Sequence, residues 1–217
     1  MRIHLPETAK DPEGTEAATF EEVQAYLIAL KKQPLARAAV ALLAFTGARP
    51  GEGRGMRWEE WNRTEQHISI NRSVWHREIG TPKTEKSTRL VAVDDQLRGI
   101  LLDLWNNQGC PISGYILAGV RKSKKKGTVL SGHPVILDNL SKRVIRPALE
   151  KAKLTWKGWY ALRRFHGTQV RMNSNSETGA KALGNSKEVF DKHYLKPDAV
   201  LPDVRKAVKS AVSGLVQ

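Results

Sequence analysis

The strongest constraint on the fold is a change of texture partway along the chain. Helical periodicity holds to about residue 47, gives way to short β-branched runs, and returns from Asp94. "HISINRSV", "WHREI" and "TRLVAV", separated by the turn-forming "GTPKTEKS", predict two or three antiparallel strands with Lys83 at a hairpin. On the N-terminal side, Thr19 and Glu22 in "TFEE" make a capping-box pattern, and Val23, Tyr26, Leu27 and Leu30 follow at helical spacing. A second helix, rich in Ala and Leu, is expected over residues 34–45 with its end at Gly47. Beyond the strands, Leu97, Ile100, Leu101 and Leu104 form one helical stripe. "DNLSKRVIRPALEKA" reads as helical with a kink or boundary at Pro147, and "WYALRRFHGTQVRM" continues the helical pattern. Between them the cation-dense "GVRKSKKKGTVLSGHP" reads as a loop, either solvated or in contact with phosphate. The fold class is α+β, mainly α: a helical domain interrupted by a small antiparallel sheet of about three strands.

A chain of 217 residues is long enough for one good core. Residues 1–17 are polar and carry Pro and Gly, which predicts a tail or the remnant of a linker, with the folded domain over 18–217. A last helix is expected at about 202–215, where Val204, Val208, Ala211, Val212 and Leu215 form a narrow apolar stripe. It either covers its own core or docks on a neighbouring protomer. Lys and Arg number 36 against 22 Asp and Glu, a formal charge of +14. Such an excess calls for a polyanion, and nucleic acid fits best because each neutralised phosphate releases counterions. No stretch approaches the roughly 20 apolar residues that span a bilayer, and the opening "MRIHLPETAKDPEGT" lacks the apolar core of a signal peptide. The lone Cys110 forms no internal disulfide, which is consistent with the reducing cytoplasm. No convincing metal-ligand cluster stands out.

Four places hold residues suited to phosphate chemistry. In "FTGARPGEGRGMRW", Arg49 lies between a Gly and a Pro-Gly turn with Glu52 three residues on; it is either a surface loop residue or a guanidinium fork for phosphate that Glu52 orients. In "TPKTEKSTRLVAV", Lys83 is either a solvated turn lysine or a mobile acid that protonates a leaving oxygen. In "WYALRRFHGT", Tyr160 and Arg163 share a helix face. In "LGNSKEVFDKHYLKP", Tyr194 follows Asn185 by nine residues, in a polar and cation-flanked setting.

Together these four resemble the tyrosine recombinase family, the phage integrases and their relatives, over roughly residues 19–215. The family's first arginine stands in a stretch like "TGARPGE", matched at Arg49. Its β-hairpin lysine is matched by Lys83, with Lys86 as the fallback. The arginine of its His-x-x-Arg motif is matched by Arg163, and the nucleophile nine residues after a Leu-Gly-His element by Tyr194. Two positions depart. Tyr160 stands where the family usually has the histidine of His-x-x-Arg, and Asn185 where it has histidine or sometimes tryptophan. His166 and His193 stand at no motif position.

The resemblance implies a site-specific recombinase acting on double-stranded DNA in the cytoplasm, self-associated on it as a tetramer in the synaptic complex. Tyr194 would form a 3′-phosphotyrosyl link, Arg49 and Arg163 would stabilise the five-coordinate phosphorus, and Lys83 would protonate the departing 5′ oxygen. Neither a metal nor a nucleotide cofactor enters this scheme. The departures imply altered proton handling and slow turnover, since one general base contributes about 100- to 10,000-fold. The rival expectations are a DNA-binding protein that keeps the fold with reduced or lost recombination, and DNA relaxation like that of a type IB topoisomerase. Family members also carry an upstream helical domain, so this chain is expected to be either a fragment of a longer integrase or a reduced version.

Overall fold

The computed structural model describes residues 16–75, 78–80, 88–123, 127–173 and 175–194. Its core is built around α2 (Pro34–Thr46), whose alanines and leucines are buried on nearly every face. Alanine combines high helix propensity with small size, so α1 (Phe20–Ala29), α4 (Asp95–Asn107) and α7 (Trp159–Asn173) pack directly on it. Leu42 and Leu43 are fully buried, each contributing roughly 1.5–3 kcal/mol. The helix starts follow the sequence. The Glu22 N–H donates to Thr19 Oγ1 at 3.2 Å while the Thr19 N–H donates to Glu22 Oε2 at 2.8 Å. Asp94 caps α4 by accepting from the Leu97 N–H at 2.7 Å. α2 ends where Gly47 turns left-handed, at φ 61°.

The strands form three antiparallel ladders among the described residues. β1 (Trp61–Asn62), β2 (His67–Ile70) and β5 (Arg89–Ala92) make a three-stranded sheet in the order β1-β2-β5, with Ile68 opposite both Trp61 and Val91. β3 (Ser73–Trp75) pairs with β4 (Glu78–Gly80). "HISINRSV" is therefore two strands in different ladders, broken at Asn71 and Arg72, not one. The segment 81–87, with Lys83 and Lys86, lies outside the described residues; its flanking strands β4 and β5 belong to different ladders. The expected cationic loop is corrected: β6 (Ala118–Ser123) and β7 (Gly127–Pro134) form a hairpin, with Val120 opposite Leu130 and Lys122 opposite Thr128. Val120, Thr128 and Val129 are β-branched, and their preference for a pleated surface decided the backbone where charge density did not.

After β7 the chain is helical. α5 (Leu137–Leu140), a π turn over Ser141–Ile145 and α6 (Arg146–Lys151) run on without interruption. Pro147 lies in the first turn of α6; it lacks an N–H and crowds the carbonyl four residues back, so the helix widens at this point and does not stop. Buried Arg54, on α3 (Pro50–Gly55), donates from Nε to the Val135 carbonyl and from Nη1 to the Val74 carbonyl, both at 2.9 Å, and so ties α3 to β3 and to the exit of β7. α8 (Ser176–Leu183) and α9 (Lys187–Tyr194) hold a second small cluster of Ala180, Leu183 and Phe190. The Phe190 ring lies directly on Gly179, where a Cβ would stand 2.3 Å from Cζ. The expected helix at 202–215 lies outside the described residues, as do residues 1–15 of the expected tail. Among the described residues no helix is long and apolar enough to cross a membrane.

Candidate active site

The turn from α2 into α3 presents the first arginine. Arg49 is the extended residue that caps α3, with Pro50 in the first helical turn. Glu52 reaches back across that turn, accepting from the Arg49 N–H at 2.9 Å and from Arg49 Nη1 at 3.1 Å. Its carboxylate is buried and also accepts from Arg89 Nη2 at 3.0 Å. Burial alone would raise the Glu52 pKa, but the guanidiniums of Arg89, Arg163 and Arg49 outweigh it and hold the carboxyl below its ordinary value.

Arg163 comes from α7 and is wholly buried, at 0% exposure. A buried guanidinium needs acceptors. Nη1 donates to the Gly47 carbonyl, and Nη2 to the Leu183 carbonyl at 3.1 Å and to Asn185 Oδ1 at 3.2 Å. Gly47 is required twice over, by its positive φ and because a Cβ there would lie 2.5 Å from both His166 Cδ2 and Leu183 Cδ2. His166 is the neighbour that fills this space. Its Nδ1 lies 3.2 Å from the Ala44 carbonyl, an acceptor, so Nδ1 carries the proton. Burial, reinforced by Arg163 and Arg89, pushes its pKa down to about 4 against the bond to Ala44, leaving a neutral imidazole at pH 7.

Asn185 joins the two arginines. α8 closes on left-handed Gly184, with the Gly184 N–H donating to Lys181 at 3.1 Å and the Asn185 N–H to Ala180 at 2.9 Å. This cap fixes Asn185, and its Oδ1 accepts from Arg49 Nη2 at 3.0 Å as well as from Arg163. Arg49, Glu52, Arg163 and Asn185, far apart in the chain, are thus in one bonded cluster. Tyr160 is the second residue of α7, one turn before Arg163. The entry to that helix is pinned by the Tyr26–Trp156 and Trp156–Trp159 ring contacts, at 5.4 and 5.0 Å, and by the Tyr26 hydroxyl donating to the Thr155 carbonyl. Tyr194 ends α9, four residues after Phe190. Lys83 and Lys86 lie outside the described residues.

One member of the cluster, Arg89, stands at no motif position. Arg89 stands on β5, and the strand's burial alternates so that Arg89 faces inward with Val91. In the sequence Leu90, Val91, Ala92 and Val93 are all apolar, so no alternation marks Arg89 as an inner-face residue that needs a buried partner.

Chemically, two guanidinium groups converging on one oxygen make a clamp for the nonbridging oxygens of a phosphate. Arg49, Arg89, Arg163 and Glu52, taken by themselves, carry three positive charges and one negative. Arg49 keeps 30% of its side chain exposed, whereas Arg163 is fully buried. Among the described residues no group of three or more His, Cys, Asp or Glu is gathered as metal ligands would be.

No protein-family model matches the sequence, and no curated protein sequence matches it. Solved structures do. The chain is similar to XerA recombinase at 17% identity and a TM-score of 0.63, covering 100% of this chain and 67% of that one. It is similar to the Tn1549 transposon integrase in complex with transposon right end DNA at 14% identity and a TM-score of 0.67, covering 94% and 68%. It is also similar to XerH site-specific recombinase bound to a palindromic difH substrate, at 17% identity and a TM-score of 0.58, covering 92% and 53%. The fold is that of a tyrosine recombinase catalytic domain.

Proposed function

We propose that this chain, with its tyrosine recombinase catalytic fold, is a site-specific recombinase that cuts and rejoins double-stranded DNA through a covalent phosphotyrosyl intermediate. The observation that carries the reading is the convergence of Arg49 and Arg163 on one oxygen, in a fold whose solved relatives include DNA complexes. Tyr194 gives up its phenolic proton to solvent water as its oxygen attacks the phosphorus, the bond to the 5′ oxygen breaks, and Lys83 supplies the proton that the departing oxygen takes up. The 3′ phosphate stays on Tyr194 until a 5′ hydroxyl attacks and restores a phosphodiester, so the bond energy is kept and no nucleotide cofactor is consumed. A phenol with a pKa near 10 needs its anion stabilised, and the clamp arginines provide that field while also offsetting charge on the phosphoryl oxygens. Asn185 yields the two guanidiniums as phosphate enters. Neither it nor Tyr160 can carry a proton away as imidazole does, which makes turnover slow. The setting proposed for this reaction is the cytoplasm, with protomers associated as a tetramer on DNA.

A second reading has its own observation. Arg163 is fully buried behind Asn185, and both imidazole positions are replaced, as suits a protein that binds DNA without cutting it. Incubation with a library of nicked duplexes of randomised sequence separates the two. A covalent adduct on denaturing gels that disappears in Tyr194→Phe is the expected result. Retention of duplex with no adduct under any condition would establish binding alone.

A further inference from the structure

We infer that Arg89 is a positioning residue of the proposed cleavage site, a single guanidinium that holds three chain segments in mutual alignment: strand β5, the helix of the first arginine, and the cap before the nucleophile's helix. The inference rests on the recombinase reading. Arg89 opens β5, directly after the segment that carries Lys83 and Lys86, and pairs with Ile70 on β2. Its side chain is only 8% exposed. Nη2 donates to Glu52 Oε2 at 3.0 Å, and Glu52 in turn holds both the backbone N–H and Nη1 of Arg49. Nε donates to the Ala182 carbonyl at 3.1 Å, one residue before the carbonyl that receives Arg163 and three before Asn185. Gly184 passes beneath the same guanidinium so closely that a Cβ there would stand 3.0 Å from Nη1 and 3.4 Å from Cζ.

One planar fork therefore reaches the anchors of both clamp arginines. Lysine cannot replace it, because a single ammonium on a flexible stem does not present donors rigidly in two directions. Arg89 acts through Glu52 and the α8 cap and does not touch DNA: its donors are turned inward and its side chain is nearly covered. Misalignment of a reacting group by about 1 Å costs on the order of 100-fold in rate.

Single-turnover cleavage of a nicked duplex selected by the wild type tests this, with adduct amplitude, rate constant and duplex affinity measured separately for Arg89→Met and Arg89→Lys. The expected outcome is a rate constant lower by on the order of 100-fold in Arg89→Met and by less in Arg89→Lys, with duplex affinity unchanged in both. A role confined to stability would reduce the amplitude, which counts folded molecules, and leave the rate constant alone; that result overturns the inference. So does an equal loss of affinity and rate, which would place Arg89 on the phosphate itself. Arg89→Lys keeps a cation against Glu52 and carries the test if Arg89→Met does not fold. A wild type that forms no adduct overturns the recombinase reading and this inference with it, whereas cleavage that ignores both substitutions overturns the inference alone.

Discussion

Asn185 offers one carbonyl oxygen to two guanidiniums, so in the proposed clamp the charge on that oxygen would set how readily phosphate displaces it. Asn185→Asp keeps the shape and turns a dipole into an anion. The arginines should then be held by a resident carboxylate that competes with phosphate, and single-turnover cleavage should fall by about 100-fold or more while the melting temperature holds or rises. Cleavage at the wild-type rate in Asn185→Asp would mean that the two arginines are not the phosphate clamp. At this scale the sequence was legible where a short spacing tied residues together. Arg49 and Glu52 lie one helical turn apart, and the pair is found bonded. The links from Arg49 to Asn185 and from Arg163 to Gly47 cross more than a hundred residues, and no local pattern encodes them. Arg89 and His166 escaped for a related reason: each matters through a buried neighbour contributed by another element, Glu52 for one and Ala44 for the other.

The element that bears Tyr194 packs against α8 and α7. α9 rests on α8 through Phe190, and the ring seats there because residue 179 has no Cβ. Gly179→Ala should push the ring away at about 1–3 kcal/mol, offset in part by about 1 kcal/mol of helix propensity. Amide exchange over residues 187–194 should quicken while that of α2 stays slow, and cleavage should weaken in parallel. Unchanged exchange in α9 would show that the seat tolerates the methyl group. Helices were the readable elements, because a 3.6-residue period repeats several times within each and its caps are local. Strands were less so. β2 and β3 are short enough that one apolar run covered both, and the β6–β7 hairpin was masked by its lysines, whose charge says nothing about the backbone that carries them.

For the whole molecule, a charge of +14 would make the proposed association with DNA a counterion-release process. The logarithm of duplex affinity should fall steeply and linearly with the logarithm of salt concentration, measured by anisotropy on a labelled duplex; a slope near zero would contradict a phosphate-contacting surface. The fold class was legible because the order of textures, helices then strands then helices, survives any one misread element. The packing was not, since α2 gains its central place from small side chains that let three helices approach it together. The buried arginines share a further habit. Arg163 donates to the carbonyls of Gly47 and Leu183, Arg89 to that of Ala182, and Arg54 to those of Val74 and Val135. Every residue owns a peptide oxygen, so replacing a side chain at an acceptor position does not delete the acceptor. Most of the letters around such a scaffold can therefore change while the path of the backbone persists, and at 14–17% identity this chain shares that path with the solved structures but not their spelling.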